Sequence, residues 1–132
     1  MTKSISRSLE SAAYISLDWH SSTKYAGVCY ATRRISLAQR IELTRQVREL
    51  TLRNEFLRAG GPSDQLEAAL GELLARRLYL EWGLAEVEGL IIDGVPATPS
   101  TLIEKGPEKL AEEVADRIIE GLNLSGDERK NS

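Results

Sequence analysis

One cysteine, Cys29, is the whole thiol inventory of this chain. A single cysteine excludes an intrachain disulfide and fits a reducing cytoplasm, where thiols stay free. Flanked by Tyr25, Ala26, Val28 and Tyr30, it reads as a small core side chain rather than a nucleophile. One histidine, His20, has no second histidine and no cysteine at ligand spacing, which argues against a zinc site. No run approaches the ~20 apolar residues needed to cross a bilayer. The opening Met-Thr-Lys-Ser-Ile-Ser-Arg-Ser lacks the apolar centre of a signal peptide. Gly60-Gly61 is not followed by the Lys-Ser/Thr of a phosphate loop. The serines show no nucleophile elbow. Glu112 and Glu113 are adjacent, point to different parts of a helix surface, and read as solvated charge rather than as an acid/base pair. The sequence therefore offers no catalytic, cofactor-binding or metal-binding residue, and we read it as a non-enzyme with no cofactor.

Aromatic residues make up 5% of the chain, so its core must be aliphatic. At 132 residues, 42% hydrophobic and 28% charged, it has the make-up of one ordinary globular domain. The net charge of −3 conceals a division. Residues 1–60 carry ten Lys/Arg against five Asp/Glu, whereas residues 61–132 carry seven against fifteen. Two halves of opposite sign can attract each other or attract different partners. The basic half is a poor nucleic-acid surface, because Glu42, Glu49 and Glu55 interrupt it and rings for stacking are scarce.

The fold class expected from the pattern is mainly α: an αα-hairpin core, a C-terminal helix, and one or two short β-hairpins. Residues 1–35 form a flexible or strand-containing N-terminal segment, with two short strands expected around His20-Ser21-Ser22-Thr23-Lys24. Residues 36–124 form the helical domain. Ser36 and Gln39 spell a capping box, and Leu37, Ile41, Val47, Leu50 and Leu57, widened by Leu43, Leu52 and Phe56, trace an apolar stripe. Gly60-Gly61 stops that helix. The second starts at Pro62-Ser63-Asp64 with Ser63 or Asp64 as cap, and Leu66, Ala69, Leu70, Leu73, Leu74, Leu78 and Trp82 follow its period. So short a link makes an antiparallel αα-hairpin, expected to be the centre of stability. Thr98-Pro99 opens a short helix and Gly106-Pro107 re-aims it into a last one, with Leu110, Val114, Ile118 and Leu122 on one side. Gly121 weakens that helix, and residues 125–132 read as a polar tail.

Glu81-Trp82-Gly83-Leu84 reads as a helix end running into a short apolar link, and Asp93-Gly94, between Ile92 and Val95, is a type I′ turn signal. Around it the chain runs Leu-Tyr-Leu-Glu-Trp-Gly-Leu at 78–84, Gly-Leu-Ile-Ile-Asp-Gly-Val-Pro-Ala at 89–97, Leu-Ile-Glu-Lys-Gly-Pro-Glu-Lys-Leu at 102–110 and Leu-Ser-Gly-Asp-Glu-Arg-Lys-Asn at 124–131. This order resembles the small tail assembly chaperones of long-tailed bacteriophages and prophages, over roughly residues 36–131. The resemblance implies a helical, non-enzymatic protein of the bacterial host cytoplasm. Its partners would be the tape-measure protein, which it holds soluble, and the tail-tube protein, which it recruits. Membrane is not implied, and homo-oligomerisation is left open. The residues expected to meet the partner are Leu78, Tyr79, Trp82 and Leu84. The other reading is a structural virion component, a connector or minor tail protein.

Overall fold

The computed structural model describes the backbone of residues 17–130 and the side chains of residues 17–122. It is mainly α. In chain order come β1 (Leu17–Ser21), β2 (Cys29–Arg33), α1 (Leu37–Arg58), α2 (Pro62–Gly83), β3 (Leu84–Glu88), β4 (Ile91–Ile92), β5 (Val95–Pro96), α3 (Pro99–Lys105) and α4 (Glu108–Lys130).

The start of α1 is the one spelled by the sequence. Gln39 N–H donates to Ser36 Oγ at 3.2 Å, and Ser36 N–H donates to Gln39 Oε1 at 2.9 Å, so two orphan donors are satisfied at once. The start of α2 is not. Gly61 occupies the cap position, Pro62 takes the first turn, and neither Ser63 nor Asp64 caps. Proline at the first helical position has its φ set for the helix and no N–H to leave unsatisfied, and this outweighs a side-chain cap.

The expected apolar link after Gly83 is a strand. Leu84 turns directly into β3, which pairs antiparallel with β2 (Tyr30 opposite Val87), and β2 pairs antiparallel with β1 (Trp19 opposite Ala31). The sheet order β1-β2-β3 places β2 in the middle. Val28 and Tyr30 of this strand-containing segment share a core with the helices. Asp93 (φ 54°) and Gly94 (φ 79°) both adopt the left-handed conformation of a type I′ turn and join β4 to β5. Thr98 caps α3, with Thr101 N–H donating to its Oγ at 3.2 Å. The helix α4 continues past Gly121 to Lys130, so the backbone of residues 125–130 is helical. One interior glycine costs about 1 kcal/mol, which does not stop propagation.

The core is Val28 and Tyr30 of the β-hairpin, Leu80 and Leu84 at the α2–β3 junction, Leu102 of α3, and Leu110, Val114, Ala115 and Ile118 of α4. The αα-hairpin is thus not the centre of stability. In α1 only Leu43 and Asn54 are buried, and in α2 the buried residues are Ala68, Gly71, Leu80 and Gly83. The two helices meet through small residues. A Cβ on Gly71 would overlap the side-chain amide of Asn54, so the axes approach too closely there for leucines to fit between them. The same device recurs where α2 crosses α4: a Cβ on Gly83 would lie 2.8 Å from Ile118 Cδ1.

Candidate functional site

Leu66, Leu70, Leu73 and Leu74 lie at intervals of four, three and one, which groups them on one side of α2. Ala68 and Gly71, buried against α1, hold the opposite side. The four leucines are 43–74% exposed. The outward side of α1 behaves alike: Leu37, Ile41, Leu52 and Phe56 are exposed, Phe56 at 81%. Single exposed apolar side chains are ordinary, but a contiguous leucine stripe is the mark of an interaction surface.

Exposed ion pairs span the hairpin without covering these faces, and such pairs contribute little to stability. Arg53 pairs with Glu67 at 3.2 Å, and Arg58 pairs with Glu72. Both pairs join the basic first half to the acidic second half, so part of the sign division is spent inside the fold. At the other end of α2, Arg77 reaches Glu81 (3.1 Å) and Glu104 of α3 (2.7 Å), anchoring the root of the hairpin to the body.

The four residues expected to meet a partner do not form one surface. Leu84 is 2% exposed and belongs to the core, because it is the first residue of β3 rather than part of a loop; it cannot be a contact residue in this fold. Tyr79 packs against the same core, and burial pushes its phenol above the ordinary tyrosine range. Leu78 is half-buried. Trp82 is half-buried and lines a cavity of about 490 Å³ together with Arg33, Arg34, Arg40 and Arg117. The exposed leucines are visible in the helical period, which does not say which side faces inward. Ala68 and Gly71, the small residues at the opposite phase, were the signal that marks the side in contact with α1.

A polar clamp closes the other end of the body. Glu113 of α4 accepts from Ser22 Oγ (2.9 Å), Thr23 N–H (3.2 Å) and Tyr30 Oη (3.0 Å). Burial pushes its carboxyl up, but these hydrogen bonds together outweigh burial and hold it below the ordinary glutamate value. Glu113 is therefore a tie between β-hairpin and helix, not a solvated charge. His20 Nε2 lies 3.1 Å from Thr32 Oγ1. Burial, helped by the positive charge of Arg117, lowers its pKa and favours the neutral ring. Each of these groups is occupied in holding the fold. No helix among the described residues is long and apolar enough to cross a membrane.

Set against protein-family models, curated proteins and solved structures, the chain matches none of them.

Proposed function

We infer that this chain is a protein-docking module whose working surface is the leucine stripe of α2, and that it serves as a non-enzymatic tail assembly chaperone. The supporting observation is the outward placement of Leu66, Leu70, Leu73 and Leu74 on a helix whose other side is closed against α1. A rigid helix presenting a leucine stripe fits the apolar face of another helix. The tape-measure protein named by the sequence resemblance is such a partner: a long helix with apolar faces that need cover until the tail tube forms around it. The tail-tube protein is the second partner in this reading, and the host cytoplasm is where the three would meet.

The test is co-expression of the full chain with a phage tape-measure protein. The wild type keeps that protein in the soluble fraction and co-purifies with it, and Leu70→Glu/Leu73→Glu does neither. Unchanged solubility of the partner with the wild type would end this reading.

One observation favours a structural virion component instead. Strand β1 lies at the edge of the three-stranded sheet and carries the exposed Leu17 and Trp19. An edge strand is a template for a neighbour's strand. Mass spectrometry of purified particles separates the two: a chaperone leaves the particle and a connector stays in it.

A further inference from the structure

The cavity beside Trp82 is built differently from the docking surface. Its basic groups come from four places in the chain: Arg33 ends β2, Arg34 follows it, Arg40 sits in the first turn of α1, and Arg117 projects from α4. One carboxylate, Asp18, shares the lining with these four arginines. Gathering like charges from separate elements raises the energy of the folded chain unless something of opposite sign offsets them.

The contacts made within the chain offset them in part only. Arg34 Nε donates to Asp18 Oδ2 at 3.4 Å. Arg33 Nη2 donates to the Leu84 carbonyl at 3.3 Å, and Arg40 Nη2 to the Leu122 carbonyl at 2.7 Å. Arg117 lies against the Tyr30 hydroxyl and is within electrostatic reach of Glu113 and Glu120, so it is the best offset of the four. A guanidinium carries five N–H donors, so contacts of this kind orient the group and leave most of its donors unspent. Arginine forks match carboxylates in particular, through paired parallel hydrogen bonds. The rest of the lining is Thr32, two glycines and five apolar side chains, Ile35, Leu43, Trp82, Ile118 and Leu122. A volume of about 490 Å³ suits a whole small molecule rather than a bare ion.

We propose that this cavity binds an amphipathic monocarboxylate, with the carboxylate held by Arg34 and Arg40 and an alkyl or aryl body lying against Trp82 and Leu122. The site is separate from the leucine stripe, and it stands whether or not the chain is a tail assembly chaperone.

The experiment is isothermal titration calorimetry of the full chain at low salt with decanoate, 4-phenylbutyrate and acetate. Decanoate or 4-phenylbutyrate is expected to bind, and acetate at the same concentration is not. Arg34→Gln/Arg40→Gln should weaken binding at least ten-fold, and Leu70→Glu/Leu73→Glu should leave it unchanged. A parallel readout survives any loss of stability in the arginine variant. In a Trp19→Phe background the only tryptophan is Trp82, and its emission should shift on binding. Absence of binding by both longer acids overturns the proposal. So does equal binding of acetate, retention of affinity in a folded arginine variant, or binding without a change in Trp82 emission.

Discussion

The Tyr30 hydroxyl donates to Glu113 Oε2 across 3.0 Å, joining the middle strand of the sheet to α4 over 83 positions of sequence. Tyr30 is fully buried, so its ring anchors the core while its hydroxyl fixes the acid. The same carboxylate takes the Ser22 hydroxyl and the Thr23 amide, and Ser22 Oγ in turn accepts from Lys24 N–H (3.2 Å) and Tyr25 N–H (3.0 Å). One acid on one helix thus shapes the turn between β1 and β2. A two-stranded hairpin is marginal by itself, and this one is held by β3 on one side and Glu113 on the other.

Replacing Glu113 with Gln should destabilise the fold by about 1–3 kcal/mol at neutral pH, the usual range for hydrogen bonds to a charged group. The pH dependence has a definite sign. The folded pKa lies below the unfolded value of about 4.3. The stabilisation is therefore complete above the unfolded pKa and is lost as pH falls through the folded one. Urea unfolding of wild type and Glu113→Gln at pH 7 and pH 3 checks this: the gap between them should narrow at pH 3. An unchanged gap would show that the carboxylate's charge does not matter.

Gly89 and Gly94 separate two meanings of glycine. Both have positive φ, 80° and 79°. A Cβ at Gly94 meets open space, while one at Gly89 would overlap the carbonyl oxygen of Gly27 in the β1–β2 turn. Gly94→Ala should cost about 1–2 kcal/mol, the strain of the left-handed conformation alone. Gly89→Ala should cost clearly more, because backbone must move as well. Thermal melts of the two variants rank them, and equal midpoints would remove the close approach from this account.

Local signals in the sequence reached the structure almost intact. The Ser36 box, the Thr98 cap, the Asp93-Gly94 turn and the buried side of α4 at Leu110, Val114 and Ile118 all depend on near neighbours in the chain. What could not be read depends on long-range contacts. β3 is five residues that become a strand because β2 lies beside them. The hairpin was expected to bury its leucines because period alone does not say which side of a helix faces inward. That is decided by Gly71 against Asn54, which lets the axes approach through small residues and turns the leucines out. Leu84 was unreadable for the same reason, since only pairing with β2 shows that it is interior.

Gly71→Ala tests how the helices meet. On helix propensity alone it should stabilise by about 1 kcal/mol. Its methyl would overlap the side chain of Asn54, which is itself 7% exposed, so the cost of overpacking, about 1–3 kcal/mol, should prevail. Asn54→Ala opens the space. The double variant should then be more stable than the sum of the single changes implies, a coupling measurable by denaturant unfolding of all four proteins. Additive effects would mean that the two residues do not share a contact.

Stability and docking should separate cleanly between two sets of leucines on adjoining elements. Leu84→Ala removes a fully buried side chain and should cost about 2–5 kcal/mol. Leu70→Glu/Leu73→Glu places charge where water already reaches, about half of each leucine being exposed. Its effect on unfolding should stay within about 0.5 kcal/mol per site. If the stripe is a docking surface, that nearly silent variant loses the partner, while Leu84→Ala retains binding in proportion to its folded fraction. Pull-down of the co-expressed partner, normalised to folded protein by circular dichroism, makes the comparison. A stripe variant that folds and still binds would move the docking surface elsewhere, with the exposed outward side of α1 at Ile41, Leu52 and Phe56 as the next place to mutate.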